Sequence, residues 1–152
     1  MAIYLAQHGK SAPKEVDAER GLTDDGIAEV ERVAARLAAG GVAVDVIQHS
    51  GKTRAAQTAE IFARALCPKE GVEARSGIDP MDDVEPIARD LPALRDALIV
   101  GHLPFMQRLV AVLVTGDADA AVLAFQNGGV VCLEPDETTR RWIIRWTAFP
   151  NP

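Results

Sequence analysis

Cysteine is scarce in this sequence, which contains only Cys67 and Cys132 among 152 residues. The two lie far apart and form no Cys-x-x-Cys pair, so neither a zinc-ribbon spacing nor a dithiol redox motif is present. Two isolated cysteines favour reduced thiols in a reducing compartment over a disulfide framework.

Long apolar runs are also missing. No apolar stretch approaches the ~20 residues that a helix needs to cross a bilayer. The first residues carry no basic segment, and their apolar run is too short for a secretory signal peptide. We therefore expect a cytoplasmic protein with no membrane partner.

Basic residues are outnumbered, with 16 Lys and Arg against 22 Asp and Glu and a net charge of −6. An acidic chain is poorly matched to nucleic acid or to an anionic membrane surface. Arg140, Arg141 and Arg145 cluster around Trp142 and Trp146, but this segment is expected to be a solvated strand face. We predict no nucleic-acid partner.

Strand and helix patterns alternate along the chain. Strands are predicted over 3–6, 44–47, 72–75, 97–100, 130–133 and 141–147; helices are predicted to begin near Thr23, Thr53, Val84 and Pro104, with a weak helical spacing over 118–123. The alternation predicts a three-layer α/β/α sandwich with a largely parallel sheet and an antiparallel C-terminal strand. The length suits a single domain over residues 1–152, since no linker, repeat or low-complexity tract interrupts it.

Each of the three histidines, His8, His49 and His102, follows a predicted strand. Ligands of open α/β sheets bind at the carboxyl ends of the strands, so parallel neighbouring strands would bring these side chains together. Arg54 lies just beyond the second strand, near a helix start. One histidine in such a place is usually structural, but three in equivalent places predict a functional site.

Histidine beside arginine suits phosphoryl transfer. A neutral imidazole can attack phosphorus and form a covalent phosphohistidine, while guanidinium and imidazole donors offset the charge on the phosphoryl oxygens. His8 is the candidate nucleophile, Arg54 the clamp and His102 a charge-stabilising donor. A histidine metal site completed by Asp82 or Asp83 is the rival, but it leaves the arginine unexplained. We expect no metal.

Four segments, in order along the chain, resemble motifs of the histidine phosphatase superfamily, which has the phosphoglycerate mutase fold. They are Gln7-His8-Gly9-Lys10-Ser11, Leu22-Thr23 with Gly26, His49-Ser50-Gly51-Lys52-Thr53-Arg54-Ala55-Ala56-Gln57-Thr58-Ala59-Glu60, and Val100-Gly101-His102-Leu103-Pro104. The third segment is highly specific. The short length, the Phe125…Gly128-Gly129 turn and the Trp142 strand resemble the SixA branch, which comprises phosphohistidine phosphatases of histidine phosphotransfer domains.

This resemblance implies a metal-independent phosphatase with no organic cofactor. It implies that His8 is phosphorylated, that Arg54 and His102 bind the phosphate, and that Gly9 and Arg20 lie close to it. The implied partner is a phosphohistidine-bearing protein or a small phosphorylated substrate.

The residue before the nucleophile departs from the family pattern, which has arginine where this chain has Gln7. A neutral amide donates weaker hydrogen bonds than a guanidinium, and one lost donor costs on the order of 3 kcal/mol, about a hundredfold in rate. With one cation fewer, His8 is also expected to be easier to protonate. Lys10, Lys52 or Arg20 could restore part of the charge.

Two alternatives therefore stay open. Gln7 favours a phosphate-binding or regulatory module with little turnover. A small phosphomonoester phosphatase would need a general acid. Asp79, Asp82 and Asp83 are the candidates, although aspartates in such a segment are more often turn or helix-capping residues than acids. The imidazole of phosphohistidine leaves more readily than an alkoxide, so the lack of a clear acid favours N–P over O–P hydrolysis.

Overall fold

The computed structural model describes residues 2–94 and 96–151. The strands are β1 Ile3–Gln7, β2 Val46–His49, β3 Val72–Ala74, β4 Ala97–Gly101, β5 Val130–Asp136 and β6 Arg141–Ala148. The helices are α1 Asp24–Ala39, α2 Thr53–Leu66, α3 Glu85–Asp90 and α4 Phe105–Thr115, and a 3-10 turn at Leu91–Ala93 follows α3. None of the described helices combines the length and the apolar character needed to cross a membrane.

The six strands form one sheet in the order β3-β2-β4-β1-β5-β6. The first four run parallel, whereas β5 is antiparallel to both of its neighbours, β1 and β6. The predicted largely parallel sheet with an antiparallel C-terminal element is therefore confirmed. Because β2, β4 and β1 are parallel neighbours, their carboxyl ends meet at one edge of the sheet.

Successive residues of β1 belong to two different cores. Tyr4 and Ala6 pack in the core that contains the buried residues of α1 and α2. Ile3 and Leu5 pack in the core formed with α3 and α4. Since both faces are covered, the central strands are continuous apolar runs rather than alternating ones, and the predicted three layers are confirmed.

The start of α1 is fitted against the loop that follows β1. The Thr23 side chain caps the helix by accepting a hydrogen bond of 3.0 Å from the Gly26 backbone N–H, as its position predicted. A side chain at residue 26 would collide with the Lys10 carbonyl oxygen. Glycine therefore lets the helix approach the loop, and the loop holds its position at the sheet edge.

The weak helical spacing over 118–123 gave a wrong prediction, since residues 117–124 form an irregular loop. Gly116 ends α4 in the left-handed conformation. The Asp117 backbone N–H then bonds to Thr115 Oγ1 at 3.0 Å, and the Asp119 N–H bonds to Asp117 Oδ1 at 2.9 Å. Such side-chain acceptors satisfy the backbone locally and compete with a helix.

Candidate functional site

His8 directly follows β1 and is 9% exposed. Its backbone N–H donates to the Gly101 carbonyl at 3.0 Å, which joins the ends of β1 and β4. Its own carbonyl accepts from Asn127 Nδ2 at 3.3 Å and from the Gly128 N–H at 3.1 Å. The backbone of His8 is thus held by the end of β4 and by the turn that precedes β5.

The imidazole of His8 has a defined tautomer. Its Nδ1 lies 2.7 Å from the Gly9 carbonyl oxygen. Because a carbonyl only accepts, Nδ1 carries the hydrogen and Nε2 keeps its lone pair. Burial lowers the pKa of His8 below 6.5; the Gly9 bond opposes this, and the charges of Arg54 and Arg20 add to it. Burial therefore favours the neutral imidazole of His8. This effect offsets the easier protonation that was expected because Gln7 carries no charge.

His102 follows β4 and is 1% exposed. Its ring centroid lies 5.0 Å from that of His8, with the planes inclined at 53°. Its Nε2 is 2.6 Å from Ser50 Oγ, whereas its buried Nδ1 has no hydrogen-bond partner in the described part of the chain. Burial, followed by the charges of His8 and Arg54, lowers the pKa of His102 to about 3.

Arg54 is the second residue of α2, and its buried Nε lacks a hydrogen-bond partner among residues 2–94 and 96–151. Its carbonyl oxygen accepts from Thr58 Oγ1 at 2.8 Å, and Thr58 Oγ1 in turn accepts from the Gly9 backbone N–H at 3.0 Å. Burial lowers the pKa of Arg54, with a further contribution from Arg20. Thr58 thus links the helix that carries Arg54 to the loop that carries His8.

Arg20 completes the positive side of the site. Its backbone is left-handed, with φ of 54°, and the Asp17 carboxylate holds the adjacent Gly21 N–H at 2.9 Å. Its charge contributes to lowering the pKa of His8, Arg54 and His102. The sequence indicated Arg20 only through the family resemblance, and in the structure Arg20 and His8 line one cleft.

The open cleft beside His8, here called the His8 cleft, has a volume of about 580 Å³. It is lined by Gln7, His8, Lys10, Ser11, Arg20, Thr23, Asp25, Leu103 and Asn127. Polar side chains prevail in this lining, as suits a charged ligand.

Gln7 is 8% exposed, and its Oε1 is buried with no hydrogen-bond partner in the described chain. It lines the His8 cleft and also an adjoining space of about 340 Å³, the Glu29 pocket, formed by Gln7, Lys10, Glu29, Leu103, Phe125, Gln126, Asn127 and Asn151. Lys10 Nζ is 3.4 Å from Glu29 Oε2. Of the substitute cations proposed from sequence, Lys10 is thus paired with Glu29, whereas Arg20 acts on all three of His8, Arg54 and His102.

His49 does not join the other two histidines, so the predicted convergence of three is wrong. It is the last residue of β2 rather than the first residue after it. Its Nδ1 accepts from the Gly51 N–H at 3.0 Å, and the charge of Glu60 on α2 acts on it. His49 pairs with Val100, two residues before His102, so it lies deeper in the sheet than the two histidines that follow their strands. Ser50 takes the expected place instead, and sequence reasoning missed it.

The acidic loop after β3 supplies no clear proton donor. The Asp82 carboxylate accepts from the Asp79 N–H at 2.9 Å, and Asp83 Oδ1 accepts from the Glu85 N–H at 3.0 Å. Both are turn and helix-start contacts. The Asp79 charge, by contrast, raises the pKa of Arg54, so Asp79 is the one of the three whose charge acts on that side of the site.

The residues assembled here are donors arranged for an oxyanion. Arg54 Nε, a donor, and His102 Nδ1, a donor in one of its two tautomers, are buried without partners among the described residues, and unpaired buried groups of this kind call for a partner. Over the described ranges, no three His, Cys, Asp or Glu side chains come together in a way that could hold a metal ion. Donors of this kind beside the His8 ring suit an oxyanion ligand.

The lowered pKa of His102 predicts acid sensitivity of the fold. An unfolded histidine takes up a proton near pH 6.5, whereas folded His102 stays neutral down to about pH 3. In that window the unfolded chain binds more protons, so stability falls as pH falls. Between about pH 6.5 and pH 5 this costs roughly 2 kcal/mol of unfolding free energy. Urea unfolding at pH 6.5 and pH 5 measures the loss of unfolding free energy between the two values. This loss should be smaller for His102→Asn than for the wild type; an equal loss would contradict the prediction.

The sequence matches the model of the histidine phosphatase superfamily (branch 1) over residues 3–82. The chain is similar to the structure of the protein histidine phosphatase SixA complexed with tungstate, at 25% identity and a TM-score of 0.85, covering 99% of this chain and 97% of that chain. A candidate phosphohistidine phosphatase SixA from Agrobacterium tumefaciens is also similar, at 25% identity and a TM-score of 0.77, with 96% of each chain covered.

A phosphoserine phosphatase from Entamoeba histolytica, in complex with 3-phosphoglyceric acid, has a TM-score of 0.73 at 15% identity, covering 97% of this chain and 96% of that chain. At this identity the likeness concerns the fold alone. No curated protein matches the sequence significantly. The superfamily match and the SixA neighbours together support a phosphatase.

Proposed function

Because the chain belongs to the histidine phosphatase superfamily, we propose that it removes phosphate from phosphohistidine on a partner protein, through a covalent phospho-His8 intermediate and without a metal or organic cofactor. One observation carries the proposal. The Gly9 carbonyl holds the hydrogen on Nδ1 of His8, which leaves the Nε2 lone pair free beside Arg20, Arg54 and His102. A neutral nucleophile among positive and neutral donors suits attack on a phosphoryl group.

The reaction has two displacements at phosphorus. The His8 Nε2 lone pair forms a bond to phosphorus while the bond to the substrate nitrogen breaks, and the departing imidazole takes up a proton from solvent, which the water of the second step gives back. Water then attacks the phosphorus of phospho-His8, loses a proton, and releases inorganic phosphate with a free His8. Arg54 and Arg20 offset the charge on the phosphoryl oxygens in both steps, and His102 donates to one of them.

The partner is proposed to be a histidine phosphotransfer type of domain. Two similar structures carry SixA names, one a protein histidine phosphatase and one a candidate phosphohistidine phosphatase. The tungstate bound in the first of these structures is a tetrahedral oxyanion like phosphate. The His8 cleft is open to solvent, so another protein can present a side chain to it, and its polar lining suits a charged group.

Phosphohistidine is favoured over a phosphate ester because of the leaving group. An imidazole leaves with little help, whereas an alkoxide needs a positioned acid. Asp82 and Asp83 are engaged with backbone N–H groups, which leaves Asp79. A small phosphomonoester phosphatase is the second candidate function, and the charge of Asp79 on the Arg54 side of the site is the observation that favours it.

The test compares the two substrate classes in the presence of EDTA. We expect phosphate release from a phosphohistidine-bearing domain and much slower release from p-nitrophenyl phosphate. Asp79→Asn should leave the first rate within about threefold, since no acid is needed. Comparable rates on both substrates, with ester hydrolysis lost in Asp79→Asn, would favour the phosphomonoesterase. Ser76→Asn, a change at an exposed residue in the preceding turn, is the control for disturbance of the loop.

A further inference from the structure

Ser50 makes a short contact with His102 that the proposed reaction does not yet use. Its Oγ lies 2.6 Å from His102 Nε2. The same oxygen accepts a longer bond, 3.4 Å, from the Lys52 backbone N–H at the start of α2. Ser50 therefore stands between the end of β2 and the ring that follows β4.

The direction of this hydrogen bond follows from counting donors and acceptors. If Ser50 donates to Nε2, its hydroxyl hydrogen and Nε2 are both satisfied, and only the Nδ1 hydrogen of His102 is left over. If Nε2 donates to Ser50, both the hydroxyl hydrogen and the Nδ1 lone pair lack partners among the described residues. Ser50 is half-buried and His102 Nδ1 is buried. Unpaired polar groups in such places cost free energy, so the first arrangement, which leaves fewer of them, is the more stable one.

We propose that Ser50 is a positioning residue, which holds His102 in the tautomer with its hydrogen on Nδ1 so that this N–H donates to an oxygen of the bound phosphoryl group. The inference rests on the proposed function, because it names the group that completes the phosphate site. It also explains why a buried nitrogen beside the His8 ring has no acceptor in the described protein. The acceptor arrives with the ligand.

The chemistry of the ligand requires this tautomer. Phosphoryl oxygens bearing charge only accept hydrogen bonds, so a bare Nδ1 lone pair facing one would repel it. Burial and neighbouring positive charge lower the pKa of His102 to about 3, so the free protein has a single ring hydrogen at neutral pH. Whichever nitrogen holds that hydrogen decides whether His102 attracts or repels the oxyanion.

The tautomer can be read by ¹⁵N NMR of the histidine ring in the free protein, with no turnover needed. We expect His102 to carry its hydrogen on Nδ1 in the wild type and in Ser50→Thr, which keeps the hydroxyl. In Ser50→Ala we expect a mixture of tautomers or the Nε2–H form. A wild-type ring with its hydrogen on Nε2, or an unchanged tautomer in Ser50→Ala, would overturn the proposal.

Binding of tungstate gives the second readout. A hydrogen bond to a charged group contributes enough for Ser50→Ala to weaken tungstate binding by roughly tenfold or more, with Ser50→Thr recovering most of it. Ser76→Ala, at an exposed serine, should bind as the wild type does. Equal binding by Ser50→Ala and wild type would contradict the role of Ser50. Normal tungstate binding and the expected tautomers without any hydrolysis would overturn the proposed function and leave this inference standing.

Discussion

Replacing His8 with asparagine should lower phosphate release from a phosphohistidine-bearing domain by about a thousandfold or more, the scale of loss when a nucleophile is removed. Asparagine can still donate a hydrogen bond toward the Gly9 carbonyl, as Nδ1 of His8 does at 2.7 Å. It lacks the outer ring atoms Cε1 and Nε2, and so has no nucleophilic nitrogen. The experiment therefore removes the nucleophile with little change to the loop that holds it.

The covalent intermediate gives a separate readout for the same residue. Brief mixing with a ³²P-labelled phosphohistidine domain, followed by quenching in base, should trap label on the wild-type chain. The label should be lost in acid, as the N–P bond of phosphohistidine is, and it should be absent from His8→Asn. Acid-stable label, or label that persists in the variant, would assign the intermediate to another residue.

His49→Asn is the matched control, since it is the same substitution at a histidine outside the pair. His49 Nδ1 accepts from the Gly51 N–H at 3.0 Å, and the side-chain oxygen of asparagine can accept in its place. We expect its rate to stay within about threefold of wild type. Equal losses in both variants would show that histidine substitution harms the fold rather than the chemistry, and equal retention would exclude His8 as nucleophile.

The layers and strand directions were predictable because their signals are local and strong. The apolar run before Gln7 and the run 97–100 are long enough to mark strands covered on both faces. Thr23 with two acidic residues marks the start of α1, and Gly40 marks its end. These signals depend only on residues that are close in the sequence, so the elements can be located without knowledge of the tertiary structure.

Which residues lie at the strand ends was not predictable, because the ends depend on strand pairing. The second strand was expected at 44–47, but it pairs with β4 over Val46–His49. Two residues of difference place His49 inside the strand and give Ser50 the place after it. Nothing in the sequence fixes this register, although the serine directly after His49 in the third motif was a signal that Ser50 belongs to the site.

Two buried side-chain oxygens around Gln7 have no hydrogen-bond partner in the described chain. Gln7 Oε1 and Glu29 Oε1 are both buried acceptors without a donor in the described chain, and both residues line the Glu29 pocket. The other carboxylate oxygen, Glu29 Oε2, lies 3.4 Å from Lys10 Nζ. The region is therefore one positive donor short, and a guanidinium at position 7 would add both a charge and donors there.

Gln7→Arg should accordingly raise the rate of phosphate release by about a hundredfold, the usual value of one preorganised donor to a developing oxyanion. The longer side chain has room in the His8 cleft and the Glu29 pocket. Steady-state rates in EDTA would measure the gain. Gln7→Met, of similar size but with no polar group, should fall below wild type, which separates hydrogen bonding from volume.

The outcome also distinguishes a weakened catalyst from a binding module. Ala38→Arg adds the same charge at an exposed position near the end of α1, so it controls for net charge and should leave the rate unchanged. If Gln7→Arg binds tungstate more tightly but still releases no phosphate, the chain is a phosphate-binding module, because the missing charge was not what limited turnover. The double variant His8→Asn with Gln7→Arg shows which nucleophile is used. If the rate of Gln7→Arg rises while the double variant stays inactive, the faster reaction still uses His8. Gln7 is then the residue that limits the rate of an otherwise complete site.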